Sequence, residues 1–90
     1  MRIRWDPLKA ESNIRKHKVC FSDAEPVLFD PAAMTREDED TTEERRFVTI
    51  GRDSLDRILV VAYTYRGEEI RMISARRATP RERKSYEEGI

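Results

Sequence analysis

Residues 57–76, Arg57-Ile58-Leu59-Val60-Val61-Ala62-Tyr63-Thr64-Tyr65-Arg66-Gly67-Glu68-Glu69-Ile70-Arg71-Met72-Ile73-Ser74-Ala75-Arg76, decide the architecture. Arg57 to Tyr65 is the most apolar run of the chain and is rich in β-branched and aromatic residues, so it reads as a central strand. A tight turn at Arg66-Gly67 returns the chain into a second strand, Glu68 to Arg76. Strict alternation along that strand puts Ile70, Met72 and Ser74 on one face and Arg71, Ile73 and Ala75 on the other. Ile70 and Met72 mark the core side, so Arg71 is expected to point to the open face. One step back, Arg46 to Gly51 alternates in the same style, and a hairpin loop from Arg52 to Asp56 joins it to the central strand. Connections this short make the three strands an antiparallel meander.

The flanks supply helices. Arg2 to Trp5 alternates and reads as a short strand. Asp6-Pro7 then opens a helix, with Asp6 able to accept from first-turn N–H groups and Pro7 pre-set for the first helical position. This helix runs to about His17 with Ala10, Ile14 and His17 along one stripe, and Arg15, Lys16 and Lys18 cluster at its end, where cations complement the macrodipole. Ser22-Asp23-Ala24-Glu25 has the capping-box pattern for a second helix through about Val27. Residues 31–45 are acidic, hold few bulky apolar side chains and are expected to form a loop. Thr79-Pro80-Arg81-Glu82 is another capping box, starting a C-terminal helix that carries Tyr86. The expected order is β-α-α-β-β-β-α, an α+β fold in one domain spanning residues 1–90.

Composition bounds the rest. The 90 residues carry 18 basic and 18 acidic side chains, and 40% of the chain is charged against about 25% in average soluble domains. Leu, Ile, Val and Phe allow one small core. The longest uncharged run, Ile58 to Tyr65, falls short of the roughly 20 residues a membrane-spanning helix takes. The start lacks the apolar core of a signal peptide. Cys20 is alone, which fits a small hydrophobe beside Phe21 and a reducing cytoplasm. Cys20 and His17 do not make a metal site, and no cofactor motif of the Walker, GxGxxG, CxxC or HExxH kind occurs.

Zero net charge conceals segregation. Six carboxylates against one Arg lie between Arg36 and Glu44, and six basic residues against Glu82 lie between Arg71 and Lys84. Arginine supplies 14 of the 18 positive charges, and its planar guanidinium suits phosphate contact and base stacking. The candidate site is therefore basic: Arg15, Lys16 and His17 at a helix end, Arg71, Ser74, Arg76 and Arg77 on or after the last strand, and Arg83 and Tyr86 on the final helix. Such a set matches metal-independent RNA cleavage. Arginine and lysine stabilise charge on a phosphorane-like transition state, and a His, Lys or Tyr moves the protons of the 2′-OH and the leaving oxygen. Each residue also has a plain reading. His17 fits a packed or capping histidine, Arg76 and Arg77 fit partners of Glu82 or the loop acids, and Tyr86 fits a core residue.

Trp5-Asp6-Pro7, Lys9-Ala10, Asn13, Lys16-His17, Val19, Phe21 and Ala24 resemble the N-terminal signature of the BrnT toxins of bacterial type II toxin–antitoxin pairs. Glu44-Arg45, Ile50-Gly51, Ile70-Arg71, Ile73-Ser74-Ala75-Arg76, Ala78, Glu82-Arg83 and Tyr86 continue the resemblance across the whole chain. It implies a RelE-like fold and a ribonuclease that arrests translation. The chemistry of the residues, and not the resemblance, assigns the roles: catalysis by His17, Arg71, Arg76, Lys16 and Tyr86 and substrate contacts by Arg77, Ser74, Arg83 and Arg15. The resemblance also implies a BrnA-like ribbon-helix-helix antitoxin, joined in a heterotetramer that binds operator DNA through the antitoxin. The alternative is a catalytically weak protein-binding module acting mainly in promoter autoregulation. One position departs from the family pattern. Lys18 stands where Gly usually ends the first helix, and a left-handed residue there costs a non-glycine roughly 1 kcal/mol.

Overall fold

The computed structural model describes residues 2–39 and 44–89. Five strands and three α-helices follow in the order β1 (Arg2–Arg4), α1 (Pro7–His17), α2 (Phe21–Ala24), a 3₁₀ segment (Glu25–Phe29), β2 (Met34–Asp38), β3 (Arg46–Arg52), β4 (Ile58–Arg66), β5 (Glu69–Arg77) and α3 (Pro80–Glu88). The sheet order is β1-β5-β4-β3-β2. β2 to β5 are antiparallel neighbours, and β1 lies parallel to β5. The fold class is the expected α+β, with a mixed sheet because β1 returns through the helices to the far edge.

The meander stands as read, with Gly67 in its turn at φ +62°. Two local details differ. First, β2 occupies part of the segment expected to be a loop. It is an edge strand with only its ends half-buried, so it carries no hydrophobic alternation, and charges on such an edge oppose pairing with other chains. Thr35 Oγ1, Thr49 Oγ1 and Tyr63 OH tie it to the sheet in a chain of 2.8 Å bonds. Glu37 pairs with Arg45 and Glu44 with Arg66. The rest of that loop, residues 40–43, lies outside the described residues.

Second, the alternation along β5 breaks. Ala62 pairs with Ser74 but Tyr63 pairs with Met72, leaving Ile73 as the extra residue of a β-bulge. A one-residue insertion flips every later side chain to the other face. Ala75 therefore falls on the core side, fully buried, and Ser74 and Arg76 join Arg71 on the opposite face. This corrects the expected placement of Ser74 with the core and Ala75 on the open face.

The second helix also begins differently. It starts at Phe21 with Cys20 in the cap position and no side-chain cap bond, while Ser22 Oγ lies 3.0 Å from Cys20 Sγ. Pro26 has no N–H to continue an α-helix, and the chain tightens into the 3₁₀ segment. Val19, Phe21, Ala24 and Val27 from this region pack on Leu59, Val61, Tyr63, Ile70, Met72 and Ala75 to form the core. Trp5 closes one side edge-to-face on Phe21 at 5.7 Å. A Cβ at Gly51 would stand 2.9 Å from the Val27 carbonyl oxygen, so glycine is what lets the 3₁₀ segment lie against β3.

Candidate functional site

β1 pairs with β5 only as far as Arg71. Beyond that point Asn13 replaces it. Asn13 Nδ2 donates to the Ala75 carbonyl at 2.8 Å and to the Val19 carbonyl at 2.9 Å, and its Oδ1 accepts from the Ala75 amide at 3.1 Å. The side chain, buried within α1, thus acts as a one-residue strand and fixes the end of α1 against β5. The stripe facing the sheet is consequently Ala10 and Asn13; Ile14 and His17 are exposed. Lys16 and His17 face Ser74 and Ile73 across a cleft of about 200 Å³, with Lys9 on its rim. Lys18 ends α1 in the left-handed conformation, φ 59° and ψ 31°, and donates its amide to the Ile14 carbonyl. The turn geometry that glycine would adopt is kept.

On the face carrying Ser74, one cross-strand row reads Arg46, Thr64, Arg71 and Arg4. Arg4 is tied to Glu69 at 3.2 Å. Arg71 is half-buried, and its Nε is shut off from solvent with no hydrogen-bond partner among the described residues. Arg76 has a dedicated partner. Its two terminal nitrogens bond the two oxygens of Glu82 at 2.8 and 2.9 Å, and Glu82 also accepts from the Thr79 amide in the capping box. The hydrogen bond from Arg76, opposed by burial and helped by the Thr79 amide, holds the Glu82 carboxyl at about 2. The plain reading of Arg76 as a partner of Glu82 describes its observed contacts.

Tyr86 is buried and donates its hydroxyl to Asp30 Oδ2. The Asp30 carboxylate next to it raises the phenol pKa, so Tyr86 sits as an anchor between α3 and the end of the 3₁₀ segment. The Arg52 guanidinium lies 5.8 Å from its ring centroid. Arg77 and Arg83 line a separate cleft of about 410 Å³ at the α3 end, together with Arg52 and Arg57. Arg15 lies on the outer surface of α1, paired with Glu11 at 3.0 Å. The expected site residues therefore separate into Lys16, His17 and Ser74 in one cleft, Arg71 on the adjoining face, Arg76 and Tyr86 as attachments of α3, and Arg77 and Arg83 in a second cleft. Asn13, Asp30, Arg52 and Arg57 were not anticipated as site residues; for Asn13, a polar residue on the packed side of an amphipathic helix was the available signal.

Fold and site together define a small α+β protein with a histidine-bearing basic cleft at a helix end, beside an arginine-bearing sheet face. The chain belongs to the BrnT family: the family described as "Ribonuclease toxin, BrnT, of type II toxin-antitoxin system" matches residues 5–82. The crystal structure of the Brucella abortus ribonuclease toxin BrnT superposes with a TM-score of 0.68 at 32% identity, covering 88% of this chain and 97% of that one. No curated protein matches significantly. Membership makes the chain a toxin of the type II toxin–antitoxin class. No helix among the described residues is long and apolar enough to cross a membrane.

Proposed function

We propose that the chain is a metal-independent endoribonuclease, acting in the cytoplasm, that cuts RNA and so inhibits translation. The observation that carries this reading is the shared cleft of Lys16, His17 and Ser74 beside the face bearing Arg71. His17 takes the proton of a 2′-OH; the 2′-oxygen bonds to the adjacent phosphorus, and the bond from phosphorus to the 5′-oxygen breaks as that oxygen receives the proton back from the His17 imidazolium. The products are a 2′,3′-cyclic phosphate and a 5′-hydroxyl. Lys16 and Arg71 stabilise the added negative charge. Ser74 orients the substrate. Arg76 contributes charge from a position held by Glu82, Tyr86 acts through the placement of α3, and Arg77, Arg83 and Arg15 contribute to RNA binding. A BrnA-like ribbon-helix-helix antitoxin neutralises the toxin in a heterotetramer that reads operator DNA through the antitoxin.

Incubating purified, antitoxin-free protein with RNA tests this. Cleavage is expected, and His17→Ala should lower its rate about 10²–10⁴-fold, the range of one proton-transfer catalyst. Intact RNA with wild-type protein, or full toxicity of both His17→Ala and Arg76→Ala, defeats the reading. The engagement of Arg76 by Glu82 and of Tyr86 by Asp30 favours a second reading, a protein-binding module of low activity that works in promoter autoregulation. Expression of this chain alone separates the two, since a pure adaptor leaves growth unchanged.

A further inference from the structure

The second cleft, where the β3–β4 loop meets α3, brings together four guanidiniums from three parts of the chain: Arg52 and Arg57, Arg77, and Arg83. Two are immobilised. Arg57 Nε donates to Asp53 Oδ2 at 2.8 Å, and the Asp53 side chain is wholly buried. Arg52 Nη1 donates to Asp56 Oδ1 at 2.7 Å, with its guanidinium over the Tyr86 ring. The other two, Arg77 and Arg83, are exposed, and their guanidiniums have no ion pair among the described residues. Asp56 and Glu87 line the cleft and Asp53 lies behind it. Asp30 accepts from the Arg52 amide and interacts with its charge, so carboxylates and arginines are equal in number here, and Arg77 and Arg83, without an ion pair among the described residues, are the groups left to take an anion.

We infer that this cleft holds a second phosphodiester of the RNA chain, distinct from the one that is cut, an inference that rests on the ribonuclease reading above. A phosphodiester carries one negative charge and presents two free oxygens that the guanidiniums of Arg77 and Arg83 can grip together. The two oriented arginines shape the wall, and Arg77 and Arg83 close on the anion. The site is separate from the Lys16–His17 cleft. Ser74 and Arg77 are three residues apart along β5, about 10 Å at strand spacing, so a single phosphate does not touch both.

The test is binding of a short single-stranded oligoribonucleotide, 2′-O-methylated throughout to prevent cleavage, followed by fluorescence anisotropy across a salt series. Arg77→Gln combined with Arg83→Gln alters two exposed side chains, and circular dichroism checks the fold. The double variant is expected to bind about tenfold more weakly, with the slope of log affinity against log salt flattened by about 0.7, one phosphate contact on a single strand. Unchanged affinity and slope overturn the inference. A gain from a 5′-phosphate that the wild type has and the variant loses also overturns it, reassigning the cleft to a terminal phosphate. Cleavage of unmodified RNA separates this result from the ribonuclease reading. If wild type and variant cut and bind alike, the cleft assignment falls and the nuclease stands. If the wild type binds through the cleft yet cuts nothing, the nuclease falls and the cleft stands.

Discussion

α1 and α3 are fastened to the same strand by different chemistry. α1 is held by the neutral amide of Asn13, bonded on three sides to the backbone of Val19 and Ala75. α3 is held by charge: the Glu82–Arg76 ion pair at its start and the Tyr86–Asp30 bond near its end. A neutral attachment inside the protein does not respond to pH or salt, whereas an ionic one at the surface does both. The cleft beside α1 therefore keeps its walls under conditions that loosen the cleft beside α3. Of the groups proposed to act on RNA, Lys16 and His17 sit at the neutral attachment and Arg76 at the ionic one.

The strongest way to break the contrast is Asn13→Ala. It leaves the Val19 carbonyl and both polar groups of Ala75 without partners in a buried setting. Unsatisfied buried groups cost about 1–3 kcal/mol each, and partial access of water reduces the sum, so a loss of about 3–4 kcal/mol is expected. That is a large share of the roughly 5–15 kcal/mol that holds a domain together. Urea titration measures it, and the loss should be the same from pH 4 to pH 9. A pH-dependent loss would mean that the amide is not the fastening.

Glu82→Gln attacks the other attachment, with a smaller effect and a pH signature. The folded carboxyl titrates at about 2, against an ordinary value of 4.5. Because the folded value is the lower one, its stabilisation is complete above about pH 4.5 and is lost as pH falls toward 2. The pair is partly solvated, with 40% and 27% of the two side chains exposed, so the neutral-pH cost is set at about 1–2 kcal/mol. Melting at a series of pH values should show a flatter acid limb in the variant, converging with wild type near pH 2.

Tyr86→Phe is expected to cost about 1 kcal/mol and to act at both ends of the pH scale. Burial pushes the Asp30 carboxyl upward, but the bonds from Tyr86, the Ala32 amide and the Arg52 amide outweigh it and the net shift is down. Its stabilisation is thus present above 3.8 and fades as pH falls below that. The Tyr86 phenol shifts up, chiefly through its bond to Asp30, so its share is present below pH 10 and lost as pH rises through the raised value. The phenylalanine variant should lose less stability than wild type on both limbs. Identical limbs would assign Tyr86 to packing alone.

Which parts of this were legible in the sequence follows from how local each signal is. The Asp6 cap, the Thr79–Glu82 box and the meander are written in neighbouring residues, and the structure keeps all three. The bulge at Ile73 depends on register against β4, whose Tyr63 and Ala62 lie nine and twelve positions from their partners Met72 and Ser74, and strict alternation therefore misplaced Ser74 and Ala75. β2 was missed because an exposed edge strand needs no apolar face. Lys16, His17 and Ser74 were each picked out, yet their meeting depends on Asn13, whose polar side chain on the packed side of α1 signals a buried bond but not which backbone groups it takes. Arg52 and Arg57 lie at the hairpin loop, and nothing in their neighbouring residues shows that α3 packs beside them.

The smallest expected effect sharpens the contrast from the side of α1. Lys18 holds φ 59° to close the helix, a conformation that costs a residue with a Cβ about 1–2 kcal/mol. Lys18→Gly relieves that cost. It also gives the unfolded chain more freedom, worth about 0.5–1 kcal/mol in the opposite direction, and forfeits a long 3.4 Å bond from Lys18 Nζ to the Arg15 carbonyl. Relief exceeds these losses, so the variant should be more stable by about 0.5 kcal/mol, a melting temperature about 2–4 °C higher for a domain of this size. Asn13 and the helix terminus act on the same turn, so the gain should shrink in an Asn13→Ala background, where the turn is no longer held to β5. A full, additive gain there would separate the left-handed terminus from the Asn13 attachment, leaving the placement of His17 to Asn13 alone.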